Sequence, residues 1–149
     1  MDGKVRVGVI GTSYFTQMLH LKSLESHPRA EISAICGRNR DRAEELAVEY
    51  GIPQVFTDYR EMIEQGNLDA VVVAAPDDLH FPMTIAALDA GLHVSCEKPL
   101  ARTVDHAQQM LDKGALQKRS PHDLLRLAVD ARSSVHAQPH RKRLPGRLI

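Results

Sequence analysis

The apolar positions of this 149-residue chain fall into two alternating patterns. Short runs at 4–10, 30–36, 54–56, 68–75 and 92–96 are rich in apolar residues, β-branched in the first and alternating in the second, as strands packed in a sheet require. Between them the apolar residues recur at helical spacing: Phe15, Met18, Leu19, Leu21 and Leu24 over 14–26, then Ala43, Leu46, Ala47 and Tyr50 over 41–50. Further helices are predicted from a cap at Thr57 or Asp58 through Gln65, over about 81–90, and from a Thr103 cap to about Lys113. Asn39 is placed to cap the second helix, and Gly91 to end the fourth in a left-handed conformation. Five strands alternating with five helices in 114 residues predict an α/β, Rossmann-type doubly wound parallel sheet.

That order places the chemistry, because ligands bind such sheets in the crevice beyond the strand C-termini. The first strand runs through Gly11 into a helix, the context a phosphate-binding turn needs. The glycine pattern G-x-G-x-x-G is incomplete, reading Gly11-Thr12-Ser13-Tyr14-Phe15-Thr16. Ser13 stands where close approach to a pyrophosphate favours no side chain, and Thr16 where the helix packs on the strand. A purely structural turn fits the same residues. At the end of the second strand, where an acid would bind the ribose 2′-hydroxyl of NAD, the chain has Gly37-Arg38. A guanidinium there pairs with a 2′-phosphate, so NADP(H) is favoured over NAD(H); a solvated turn is the competing reading of Arg38.

The continuous run at 68–75 predicts the central strand, closed by Pro76-Asp77-Asp78-Leu79-His80. His80 is expected to face either solvent or the crevice. The fifth strand runs out at Glu97-Lys98-Pro99. A lysine there can transfer a proton if burial or a neighbouring charge lowers its pKa, and Glu97 can hold it or bind a cofactor hydroxyl. Pro99 restricts the backbone of Lys98 and so aims it. A surface Glu-Lys pair closing a strand is the plainer account of the tripeptide alone.

Taken in order, V-G-V-I-G at 7–11, G-R-N at 37–39, D-A-V-V-V-A-A-P-D-D-L-H at 69–80, A-G-L-H-V-S-C-E-K-P-L-A at 90–101 and T-V-D-H-A at 103–107 carry a resemblance. They resemble the N-terminal domain of the glucose–fructose oxidoreductase, inositol dehydrogenase and rhizopine-catabolism family, over about residues 4–114. The resemblance implies a pyridine-nucleotide oxidoreductase moving a hydride between the cofactor and a sugar, cyclitol or related polyol. It implies that Gly11, Thr12, Ser13, Tyr14 and Phe15 line the pyrophosphate and that Gly37 and Arg38 meet the adenosine ribose phosphate. Ala75, Pro76 and His80 would border the nicotinamide half, Glu97 would contact the nicotinamide ribose, and Lys98 would be the catalytic lysine.

Composition changes this picture after residue 114. Residues 1–114 carry 11 Lys/Arg against 17 Asp/Glu, and residues 115–149 carry 8 against 2. The latter hold no aromatic residue and no Glu, and no sixth strand is expected in them. They are expected to be a basic tail with at most one helix, over 124–131 behind a Ser120-Pro121 start, and otherwise disordered. The abrupt change suggests a truncated or frameshifted product lacking the family's larger second domain. Little or no turnover is then expected from these residues alone, polyol substrate would need that domain, and apolar surface left bare would favour self-association. The competing reading is a non-catalytic module that binds a nucleotide or a protein partner. Cys36 and Cys96 show neither metal-type spacing nor a disulfide framework, so no metal site is expected. Charges at Asp2, Lys4 and Arg6 argue against a signal peptide and no apolar run approaches membrane-spanning length, so a cytoplasmic protein is expected. The basic end lacks the aromatic residues that accompany nucleic-acid binding.

Overall fold

The computed structural model describes residues 3–116 and the backbone of 127–129. Among the described residues six strands form one parallel sheet in the order β3-β2-β1-β4-β5-β6. They are β1 (Val5–Ile10), β2 (Ala30–Cys36), β3 (Gln54–Phe56), β4 (Ala70–Val73), β5 (His93–Cys96) and β6 (Leu127–Val129). The connecting helices are α1 (Lys22–Ser26), α2 (Arg40–Tyr50), α3 (Tyr59–Gln65), α4 (Asp77–Asp89) and α5 (Val104–Leu116). Strand order reverses between β1 and β4, which opens the crevice where this architecture binds ligands.

Side-chain alternation along the strands builds two cores. Val7 and Val9 of β1 with Val72 of β4 pack toward Leu21 and toward Ala43, Leu46 and Ala47 of α2. Ile10, Val71, Val73, Val94 and Cys96 pack toward Met62 of α3, Met83, Ala87 and Leu88 of α4, and Met110 of α5. A register shift opposite Val7 and Gly8 skips Ser33. That extra residue puts Ile32 and Ile35 in the same core despite their odd spacing, as a bulge does.

Most element ends follow local chemistry. Asn39 caps α2 by accepting from the Arg42 amide at 3.1 Å, and Asp58 caps α3 by accepting from Arg60 at 2.7 Å. Thr103 accepts from the His106 amide at 3.2 Å ahead of α5. Gly91 follows α4 at φ +79°.

Three expectations are corrected. The single helix expected over 14–26 contains a π-helical stretch, Thr16–Leu21, ahead of α1. Helix α4 begins at Asp77, four residues earlier than expected, with Pro82 inside it. Two acids in a first turn favour a helix start, and Pro76 ahead of them needs no amide partner. The third concerns the sheet: a sixth strand is present, because the 127–129 backbone, expected to be helical, pairs parallel with β5 from Val94↔Leu127 to Cys96↔Val129. A run of three apolar residues carries no decisive period, while the outer edge of β5 offers a row of backbone donors and acceptors. Helix α5 runs on to Leu116, past the boundary expected at 114, and the rest of the expected basic tail, 117–126 and 130–149, lies outside the described residues. Among the described residues no helix is long and apolar enough to cross a membrane.

Candidate functional site: the crevice at the strand ends

A cleft of about 580 Å³ opens over the C-terminal ends of β3, β2, β1 and β4. Its walls bring together Gly11, Thr12, Ser13, Gly37, Arg38, Ala75 and Pro76 from the expected site. Tyr14, Phe15, His80, Glu97 and Lys98 are not among its lining residues.

The turn after β1 is built for close approach. Gly11 has φ +128°, and a Cβ there would run into the carbonyl oxygen of Ala74, the residue just after the neighbouring β4. Its amide donates to the Cys36 carbonyl at 2.9 Å, tying the turn to β2 as well. Ser13 then starts the helical segment: its hydroxyl accepts from the Thr16 amide at 3.1 Å and lies 2.9 Å from Thr16 Oγ1. Thr16 is fully buried. The two departures from the glycine pattern therefore satisfy each other, and Ser13 acts as an N-cap. Tyr14 and Phe15 follow with 73% and 49% of their surface exposed, outside the cleft.

The end of β2 forms the adjoining wall. A Cβ on Gly37 would overlap Thr12 Cγ2, so the two turns interlock side by side. Arg38 is exposed on this wall, and no hydrogen bond or ion pair engages its side chain among the described residues. Beneath it Cys36 is 3% exposed. Burial, aided by Asp58 and Glu61, pushes its thiol pKa up to about 12, so it stays uncharged.

The Glu97-Lys98-Pro99 turn sits on the far side of β4. The Glu97 amide donates to the Val73 carbonyl at 2.9 Å, and the Lys98–Pro99 peptide is cis. Lys98 is exposed. Glu97 is held from two directions: Oε1 meets His20 Nε2 at 2.8 Å and Oε2 accepts from the Lys98 amide at 3.1 Å. His20 lies in the π-helical stretch, with its ring edge-on to Phe15 at 6.1 Å. This histidine links the phosphate-type turn to the lysine loop, and nothing in local spacing marks it, since its partner is 77 residues away.

His80 faces neither solvent nor cleft; it is 1% exposed. Because α4 starts at Asp77, His80 falls in the first turn and turns inward. Its Nδ1 contacts the Pro99 carbonyl at 2.7 Å and its Nε2 the Ala75 carbonyl at 2.8 Å. Only a ring protonated on both nitrogens donates to both. Burial opposes that charge, but contacts with Cys96 and with the Pro99 and Ala75 carbonyls outweigh it and raise the pKa to about 9. His80 thus clamps the loop after β5 to the end of β4.

Sequence reading missed Asn39, Thr57, Asp58, Tyr59, Arg60, Leu79 and Met83 in the cleft wall. The position of 57–60 beyond β3 was the available signal, by the same strand-end rule that singled out Arg38. Among the described residues no cluster of His, Cys, Asp or Glu is arranged to hold a metal ion.

Fold and crevice together define a dinucleotide-binding α/β domain. The model of an oxidoreductase family with an NAD-binding Rossmann fold, that of glucose–fructose oxidoreductase, inositol dehydrogenase and the rhizopine-catabolism protein, matches residues 5–120, and the chain belongs to that family. It is 39% identical over 110 residues to an inositol 2-dehydrogenase/D-chiro-inositol 3-dehydrogenase of Shouchella clausii, covering 72% of this chain and 32% of that protein. It is 34% identical over 108 residues to a D-glucoside 3-dehydrogenase of Escherichia coli, covering 72% and 31%. A 3-ketoreductase of Actinomadura kijaniata, solved with TDP-benzene and NADP, superimposes with a TM-score of 0.73 at 34% identity, covering 77% of this chain and 36% of that one. The chain thus spans about a third of the length of these relatives.

Proposed function

We propose that this chain binds a nicotinamide dinucleotide in the strand-end cleft, NADP(H) in preference to NAD(H), as the cofactor-binding part of an oxidoreductase acting on a sugar, cyclitol or related polyol. The observation that carries the reading is the cleft wall itself. Gly11 to Ser13, Gly37 with an Arg38 that has no partner among the described residues, and Ala75 with Pro76 converge from three strand ends at the β1/β4 reversal. The residues fit such a cofactor: the Gly11 turn has no room for a Cβ, and the wall beyond β2 offers a guanidinium where an acid would repel a 2′-phosphate. The substrates named for the inositol and glucoside dehydrogenases, and the NADP in the 3-ketoreductase structure, agree with this reading.

The turn at Gly11 to Ser13 would hold the pyrophosphate, with Tyr14 and Phe15 at its mouth, and Arg38 the adenosine ribose phosphate. Ala75 and Pro76 would border the nicotinamide half, with His80 acting as the clamp behind them. The bound cofactor would supply the hydride acceptor or donor. Glu97, oriented by His20, would bind the nicotinamide ribose hydroxyl. Lys98 would exchange a proton with the reacting hydroxyl or carbonyl. Polyol turnover requires, on this reading, a substrate-binding part in addition to the cofactor cleft.

Titration of the chain with NADP and NAD tests the proposal. NADP should bind about tenfold more tightly, equal to about 1.4 kcal/mol, and Lys98→Ala should leave that affinity within a few-fold. Failure of both nucleotides to bind or to stabilise the fold would overturn it.

A further inference from the structure

Arginines crowd the β2 side of the cleft, and their partners sort them into two kinds. Arg40 Nε pairs with Glu44 at 2.7 Å. Arg42 pairs with Glu45 at 3.0 Å and also donates to Gln17 at 2.6 Å. Both are committed to neighbouring side chains. Arg38 and Arg60 line the cleft instead, and neither guanidinium has an ion-pair partner among the described residues.

These two reach the same wall from adjacent strands. Cys36 and Phe56 are register partners across β2 and β3, and the Gly37 amide donates to the Phe56 carbonyl at 3.1 Å. Arg38 follows the first strand end by two residues and Arg60 the second by four. The guanidinium of Arg60 lies over the Tyr59 ring, 4.6 Å from its centre. Such stacking restrains the side chain while leaving its N–H edge open. Among the described residues that line the cleft Asp58 is the one acid, and its carboxylate already accepts from the Arg60 amide. Two guanidiniums against one engaged carboxylate leave this end of the cleft net cationic.

We propose that Arg60 is a specificity residue of the adenosine end, forming with Arg38 a two-guanidinium site for the ribose 2′-phosphate. The proposal rests on the cofactor reading above and names a residue that reading does not need. A phosphomonoester carries close to two negative charges at neutral pH and three acceptor oxygens. One guanidinium can chelate two of those oxygens; a second, from the first turn of α3, meets the remaining oxygen and charge. Tyr59 serves as the positioning residue that holds Arg60 on this wall.

The test uses the full chain and two probes that differ only by the 2′-phosphate, 2′,5′-ADP and 5′-AMP, with affinities from calorimetry. Arg60→Ala should weaken 2′,5′-ADP about tenfold, as expected for losing a charge-assisted contact, while 5′-AMP stays within about twofold. Arg60→Lys should fall between, since it keeps charge but loses the fork. The slope of log affinity against log salt for 2′,5′-ADP should also become shallower in Arg60→Ala. Arg60 is exposed, and an unchanged melting temperature verifies that the variant folds. If Arg38→Ala abolishes the preference for 2′,5′-ADP and Arg60→Ala does not, the inference is overturned and the cofactor reading stands. If the unmutated chain binds neither probe, both are overturned.

Discussion

The hydroxyls of Ser13 and Thr16 lie 2.9 Å apart, inside a turn where the family of dinucleotide-binding folds usually has glycine at both positions. Each hydroxyl would be a liability alone: one beside the ligand path, one fully buried. Together they cap the helix and satisfy each other. Ser13→Ala should therefore cost about 1 kcal/mol, the usual loss for a helix cap. Thr16→Val, which preserves shape but removes the buried partner, should cost about as much. Urea unfolding of both variants checks this; an unchanged midpoint for Ser13→Ala would mean the cap carries no stability.

The neighbouring turn yields a coupled prediction. A Cβ at Gly37 collides with Thr12 Cγ2 and comes within 2.8 Å of Thr12 Oγ1. Gly37→Ala should destabilise by about 1–3 kcal/mol through overpacking. Thr12→Ala removes both offending atoms, so the double variant should recover most of that loss, giving a coupling energy of about 1 kcal/mol or more. Additive losses would show that the two turns do not bear on each other. Gly11→Ala has no such remedy, because the obstacle is the Ala74 carbonyl and φ is +128°; it should cost about 3 kcal/mol or prevent folding.

His20 and Glu97 join the two ends of the site through a 2.8 Å contact, with only 17% and 13% of their side chains exposed. Removing the histidine leaves a largely buried carboxylate with the Lys98 amide as its remaining hydrogen-bond donor among the described residues. His20→Ala should therefore cost about 1.5–3 kcal/mol, the range for a hydrogen bond to a charged group. His20→Gln should restore part of it. Amide hydrogen exchange adds a local readout: Lys98 should lose protection in His20→Ala before the sheet does. Equal protection in both chains would sink the idea that His20 positions this loop.

His80 makes stability depend on alkaline pH. Its folded pKa is about 9 against 6.5 for the free group, so the folded state holds the proton more tightly. The stabilisation is then fully present below about pH 6.5 and is lost as pH rises through about 9. The denaturation midpoint should fall between pH 7 and 10, and His80→Gln, lower throughout, should show a flatter profile over that window. Imidazole nitrogen shifts by NMR give the titration directly. An ordinary pKa for this ring, or an equally steep profile in the variant, would contradict the clamp.

Local sequence settled what depends on neighbours along the chain. The runs at 30–36 and 54–56 became β2 and β3 with those bounds. Asn39 and Asp58 cap helices, and Gly91 takes the left-handed turn, because capping and backbone freedom act over three or four residues. The order of strands and helices implied the doubly wound sheet, and the strand-end rule brought Gly11 and Arg38 to one cleft. What tertiary structure alone decided involves contacts distant in sequence or choices among weak local preferences. The glycine requirement at Gly37 comes from Thr12, 25 residues away, and the orientation of Glu97 from His20. His80 is buried because α4 starts four residues early, a shift small enough that caps and acids cannot fix it but large enough to turn a side chain inward. The 127–129 strand exists because β5 offers an open edge. Hydrogen-bond donors and acceptors on that edge outweigh the slight preference of three apolar residues for any one conformation.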